Sequence, residues 1–132
     1  MKDNNMNLIP VFVYGSLKKG FGNNSFLSNS EFLGKFNTKE SYFNMISLGG
    51  FPGVFKMQNS TMKISGELYL VNPNILMSLD RLESNGSFYT REIIELDNCN
   101  IKPFMYLLNQ PENYKNNRNG RISFESGIAT WI

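Results

Sequence analysis

Apolar positions along this chain follow two spacings, one helical and the rest strand-like, and together they predict an α+β domain. The helix covers residues 73–83, Pro-Asn-Ile-Leu-Met-Ser-Leu-Asp-Arg-Leu-Glu. At about 100° per residue, Ile75, Leu76, Leu79 and Leu82 share one arc. Met77, Ser78 and Arg81 point away from it, and Asp80 sits at its edge. Asn72 is placed to cap this helix, and Pro73 suits a first turn in which its missing N–H would be unpaired anyway. The predicted strands are short β-branched and aromatic runs bounded by Gly, Pro and Asn, at 8–14, 30–36, 41–48, 54–57, 63–71, 88–96 and 101–108. In 63–71, Ile64, Leu68 and Leu70 face one way, and Gly66 on that side leaves room for a close neighbour. Pro103 interrupts the last run and predicts an edge or bulged position there. Residues 21–27 read as a short helix, 51–53 as a turn, 1–7 as a frayed start and 110–119 as a surface loop. At the end, Ile122, Phe124, Ile128 and Trp131 are available to seal the core. No βα alternation recurs, which favours a small mixed or barrel-like sheet with few flanking helices over a doubly wound fold.

The helical arc contains one charged residue, Glu83, between Leu79 and Leu76. A carboxylate in an apolar stripe is desolvated, and the negative pole of the helix lies beside it; both raise its pKa. Such a group can accept and return a proton near neutral pH. The alternative is a helix that ends early and leaves Glu83 in water, and the pattern alone favours that alternative. A second candidate stretch follows the first strand, where Tyr14 runs into Gly15-Ser16-Leu17-Lys18-Lys19-Gly20. A strand ending in a small-residue turn leaves backbone N–H groups free for an anion or a carbonyl oxygen. Gly15 removes the side chain that would block that approach. The spacing is not that of a phosphate loop, since Phe21 follows Gly20 where a Lys would be needed. Read alone, the stretch is an ordinary strand-ending turn.

Composition narrows the chemistry further. The 132 residues suit a single domain, 1–132, and 41% hydrophobic with 14% aromatic residues is enough for a packed interior. A formal charge of +2 with scattered Lys and Arg gives no basic stripe, so no nucleic-acid partner is expected. No run is long enough to span a bilayer and no secretory pattern opens the chain, so a cytoplasmic protein without a membrane partner is expected. Cys99 is the single cysteine and reads as a small buried or half-buried filler in a reducing compartment. The absence of histidine removes Ser-His-Asp triads, Cys-His dyads and histidine metal sites together. Any proton shuttle must then be Glu, Asp, Lys, Tyr or Cys.

Six pieces, in order, resemble the γ-glutamylcyclotransferase-like superfamily, most closely its γ-glutamylamine cyclotransferase and AIG2-like branch. They are Val13-Tyr14-Gly15-Ser16-Leu17-Lys18-Lys19-Gly20, Phe32-Leu33-Gly34, Gly50-Phe51-Pro52-Gly53, Gly66-Glu67-Leu68-Tyr69, Leu79-Asp80-Arg81-Leu82-Glu83 and Phe88-Tyr89-Thr90-Arg91. The resemblance implies a small mixed barrel with a cavity at its mouth. It implies release of 5-oxoproline from a γ-glutamyl amide or isopeptide, with no metal and no cofactor. By position, Glu83 would be the general acid/base, and Tyr14, Gly15, Ser16 and Leu17 would hold the γ-glutamyl group. Tyr106 would line the cavity, with a plain core tyrosine as the even alternative.

Other residues are expected to support these. Tyr89 and Arg91 are read as structural, Arg91 pairing with Asp80 or Glu67 to hold the helix end against the sheet. Glu67 either reaches the cavity or faces solvent. Two departures from the family pattern bear on the cavity rim. Ser84 and Asn85 stand before Gly86 where relatives often have Gly directly after the Glu, and Ser126-Gly127 is followed by Ile128 rather than Asp-Trp. Those departures keep a second reading open, a binding or regulatory module on the same fold without turnover.

Overall fold

The computed structural model describes residues 7–117 and 120–132. The start expected to fray lies outside the described residues apart from Asn7, as do positions 118 and 119 of the expected surface loop. In chain order the elements are β1 (Ile9–Val13), β2 (Glu31–Asn37), β3 (Phe43–Ser47), β4 (Pro52–Lys56), β5 (Lys63–Val71), α1 (Pro73–Leu82), β6 (Tyr89–Ile93), β7 (Phe104–Leu108), β8 (Ile122–Glu125) and β9 (Ile128–Trp131). Two 3-10 turns, Asn24–Leu27 and Pro111–Asn113, complete the set.

The longest strand, β5, organises the sheet. Antiparallel β2 runs along it from Glu31 opposite Leu70 to Asn37 opposite Ser65, with a bulge between Phe32 and Gly34. Antiparallel β1 pairs with its C-terminal half, and parallel β9 with Lys63 and Ile64 at its start. The main sheet is ordered β6-β7-β1-β5-β9-β8 with β2 on β5, while β3 and β4 form a separate hairpin. Parallel and antiparallel neighbours make it mixed, and with one α-helix the domain is α+β.

The central strands are covered on both faces. Phe12, Leu68, Met105, Ala129 and Trp131 form one core with Phe43, Met45 and Val54 of the hairpin. Val11, Val13, Tyr69, Val71 and Leu108 form the other, closed by Leu76 and Leu79 of α1. Helix and sheet therefore meet through the arc foreseen for 73–83, except that Leu82 is 37% exposed at the last turn. The cap is as expected: the Asn72 side chain accepts the Ile75 N–H at 2.8 Å, and Pro73 stands in the first turn. Gly66 is required by the close approach of β1, since a Cβ there would lie 2.5 Å from the Val13 carbonyl oxygen and 2.7 Å from the Phe12 ring. Cys99 is half-buried against the first core.

Several expectations need correction. β7 is an internal strand between β6 and β1, because Pro103 stands just before it and needs to donate nothing there; its carbonyl accepts the Ile94 N–H at 2.9 Å. β4 begins at Pro52, so the turn is tighter and earlier, closed by the Leu48 N–H on the Phe51 carbonyl at 2.8 Å. The short helix of 21–27 is a single 3-10 turn. Of the four residues expected to seal the core, Ile122 and Trp131 do so, joined by Ala129, while Ile128 is half-buried and Phe124, on the strand that ends the sheet, is 37% exposed.

Candidate active site

The first strand, the start of β4 and the end of α1 converge on a cavity of about 340 Å³. Glu83 reaches it from the helix. It is the C-cap of α1, with φ −90° and ψ 0°, and its N–H still bonds the Leu79 carbonyl at 2.9 Å. The chain then turns away through Ser84 (φ 51°) and Gly86 (φ 93°), which stops the helix and leaves the Glu83 side chain facing the cavity. Among the described residues its carboxylate accepts no hydrogen bond and pairs with no cation. Burial alone pushes its pKa from 4.5 up to about 7.

Tyr14, Gly15, Ser16, Leu17 and Tyr106 line the same cavity as Glu83. The glycine bend has a definite polarity. The Gly15 carbonyl accepts the Lys18 N–H (3.0 Å), the Ser16 carbonyl the Asn23 N–H (2.9 Å), and the Leu17 carbonyl the Asn24 Nδ2 (2.8 Å). With its carbonyls engaged, the bend keeps the Ser16 and Leu17 N–H groups as donors without a partner among the described residues. The reason for Gly15 differs from the one expected: a Cβ there would sit 2.8 Å from the Pro52 ring, so the glycine accommodates the cavity wall itself.

Three tyrosines close the wall, and each donates its proton elsewhere. Tyr14 donates to the Tyr106 carbonyl (2.7 Å), Tyr89 to the Pro52 carbonyl (2.7 Å), and Tyr106 to Asp80 Oδ1 (2.6 Å). Burial raises the pKa of all three, and the neighbouring Glu83 charge adds to it, so they are neutral phenols at any working pH. Arg91 clasps Asp80 through Nε (2.8 Å) and Nη2 (3.2 Å), which fixes the end of α1 against β6 and β7 as anticipated. Asn85 accepts the Arg91 N–H at 2.9 Å and ties the displaced loop to the same strand.

Glu67 takes neither of the two positions foreseen for it. It is buried, 5% exposed, and accepts the Lys19 N–H at 2.9 Å and the Tyr69 hydroxyl at 3.0 Å. It thus anchors the outgoing limb of the glycine bend. Lys18 beside it is also buried and donates to the Trp131 carbonyl at 2.6 Å. Among the described residues, no group of three or more His, Cys, Asp or Glu side chains is placed to hold a metal, and no helix is long and apolar enough to cross a membrane.

Residues 11–127 match the family described as gamma-glutamyl cyclotransferase, AIG2-like. The chain belongs to that family. It is 35% identical over 85 residues to the gamma-glutamylcyclotransferase family protein YtfP of Escherichia coli, covering 64% of this chain and 71% of that one. It is 39% identical over 93 residues to gamma-glutamylaminecyclotransferase C of Danio rerio, over 66% of this chain and 61% of the relative. The fold is similar to the crystal structure of an AIG2-like protein from Mus musculus, with a TM-score of 0.68 at 25% identity over 76% of this chain and 77% of that one. The names of these relatives support an enzyme of the γ-glutamylcyclotransferase-like family.

The cavity walls that escape sequence reasoning include Asn23, Phe51, Pro52 and Phe88. Tyr89, read as structural, both braces Pro52 and lines the cavity. The Gly50-Phe51-Pro52-Gly53 piece was a signal for this wall, but a turn motif does not say which strand end it will meet.

Proposed function

We propose that the protein releases 5-oxoproline and a free amine from a γ-glutamyl amide, with Glu83 as the general acid/base. One observation carries the reading: among the described residues, a half-buried carboxylate without a partner, its pKa pushed up to about 7, shares a cavity with two unpartnered backbone N–H groups. The γ-glutamyl α-ammonium gives a proton to Glu83, and the freed α-nitrogen attacks the γ-carbonyl carbon. The new C–N bond closes a five-membered ring, so the wall of Tyr14, Tyr89 and Tyr106 has only to fold the substrate into a near-attack shape. The Ser16 and Leu17 N–H groups receive the charge that develops on the carbonyl oxygen. As the tetrahedral centre collapses, Glu83 returns its proton to the leaving nitrogen, the old C–N bond breaks, and the second proton of the ring nitrogen passes to the freed amine. Over the cycle the α-nitrogen loses two protons and the leaving nitrogen gains two, so no net proton is released when the product amine is protonated. A volume of about 340 Å³ suits a small-molecule site.

The test is to incubate purified protein with a panel of γ-glutamyl amides and assay 5-oxoproline. Release by wild type, and its loss in Glu83→Gln, is the expected result. Equal release by the variant, or none by wild type across the panel, would overturn the proposal. The departures in the loop after Glu83 favour a second reading, a binding module without turnover; cyclisation of any panel member at enzymatic rates removes it.

A further inference from the structure

The aromatic rim of the cavity extends well past Glu83. Phe88 is its hub, with ring centroids 6.3 Å from Phe51, 4.9 Å from Tyr89 and 5.9 Å from Tyr114, each pair meeting edge to face. Phe51 and Tyr114 nevertheless remain 40% and 38% exposed. Clustered aromatic surface left open beside a reactive carboxylate is a ligand surface in search of its apolar group. Phe51 and Phe88 are also walls of a second, more open cavity of about 400 Å³, so the two cavities share a boundary. Its remaining lining includes Leu48, Tyr114, Lys115 and Asn117, and no carboxylate. The shelf is built in place: the Ser47 N–H of β3 donates to the Asn117 carbonyl at 2.7 Å, and the Asn117 N–H to the Lys115 carbonyl at 2.8 Å. Lys115 is exposed, and no ion pair or hydrogen bond occupies its ammonium group among the described residues.

We propose that this shelf is the leaving-group subsite and that it selects an amino acid with an aromatic or large apolar side chain and a free carboxylate. The substrate class is then a γ-glutamyl dipeptide such as γ-glutamyl-phenylalanine. The inference rests on the γ-glutamyl reading above. With the γ-glutamyl head in the first cavity and the scissile carbonyl between Glu83 and the Ser16 and Leu17 amides, the group on the amide nitrogen emerges along Phe51 and Phe88. A side-chain ring lies against Phe51, Phe88 and Tyr114, and the carboxylate meets Lys115. A second ammonium group on the leaving amine meets Lys115 with the same sign and no carboxylate.

The experiment measures binding of four compounds to Glu83→Gln by calorimetry, and their turnover by the unmodified protein. The compounds are γ-glutamyl-phenylalanine, γ-glutamyl-alanine, γ-glutamyl-phenethylamine and γ-glutamyl-cadaverine. The expected order puts γ-glutamyl-phenylalanine about tenfold tighter than the alanine compound, for the ring buried. It is up to about fivefold tighter than the phenethylamine compound, for one exposed ion pair. Lys115→Glu collapses the second ratio, and Phe51→Ala combined with Tyr114→Ala collapses the first. All three positions are exposed, so circular dichroism of each variant is expected to match wild type. Equal binding of the phenylalanine and alanine compounds, preference for the cadaverine compound, or no binding at all would overturn the subsite. Release of 5-oxoproline without preference sinks the subsite and keeps the reaction, whereas preferential binding without release keeps the subsite and sinks the reaction.

Discussion

Replacing Glu83 by Gln is predicted to stabilise the protein while abolishing its activity, and the pH dependence of the gain identifies its cause. In the unfolded chain the carboxyl has an ordinary pKa near 4.5, and in the native state burial raises it to about 7. Below pH 4.5 the group is protonated in both states and burial imposes no ionisation penalty. Between pH 4.5 and 7 the unfolded chain ionises first, so stability falls as pH rises. Above pH 7 the native carboxyl is ionised too, and the full penalty persists. The shift corresponds to about 3 kcal/mol. The side chain keeps some contact with water through the cavity, so about 2 kcal/mol is the working figure. Gln has nothing to ionise and escapes this penalty.

At pH 8 the Glu83→Gln variant is therefore expected to unfold in urea with about 2 kcal/mol more stability than wild type, or about 7 °C higher in thermal midpoint for a chain of this size. At pH 5 the gap shrinks to a fraction of that. Activity moves the other way, with 5-oxoproline release reduced by about 10²–10⁴-fold in the variant. In wild type, kcat/KM falls as pH drops below 7, because a protonated Glu83 cannot accept the α-ammonium proton. A variant no more stable than wild type at pH 8, or a gap that does not change between pH 5 and 8, would refute the reasoning, since either result means that the carboxylate is solvated.

Gly15→Ala places a Cβ 2.8 Å from the Pro52 ring; denaturation should show a loss of about 1–3 kcal/mol, with a raised KM as the cavity wall shifts. Glu67→Gln removes the negative charge facing buried Lys18 and weakens the anchor of the Lys19 amide, so about 2 kcal/mol of stability should be lost at pH 7, with kcat falling more than binding. Asp80→Asn breaks the bidentate clasp of Arg91 and weakens the acceptor of the Tyr106 hydroxyl, for about 1–2 kcal/mol in urea denaturation at low salt and less at high salt.

What is legible in the sequence is whatever a short window determines. The arc of Ile75, Leu76 and Leu79, the Asn72 cap and the place of Glu83 at the helix end all follow from twelve consecutive residues. The strand ending in Gly15 is readable for the same reason. What is not legible depends on contacts distant along the chain. Gly15 reads as room for a ligand, yet its missing Cβ makes room for Pro52. Alternation assigns Glu67 a face but not what covers that face. Here both faces are covered, by α1 on one side and by the β3–β4 hairpin and β9 on the other. Pro103 is equally compatible with an edge strand and with the first residue before an internal one, and only strand order separates the two.

The separation of Asp80 from Glu83 shows how one helix end supports two opposite carboxylate behaviours. The two residues are three apart, close enough for both to compete for the nearest guanidinium. Arg91 goes to Asp80 with two hydrogen bonds, and the Tyr106 hydroxyl adds a third to the same carboxylate. Asp80 is thereby fixed, and it has drawn off the donors that Glu83 would otherwise meet. Glu83 turns instead into the cavity, where the surrounding phenols have already given their protons to other acceptors. Burial sets the pKa near 7, and this diversion of partners leaves no cation beside the carboxylate to pull it back down. The structural ion pair and the reactive acid are two consequences of one allocation of hydrogen-bond donors.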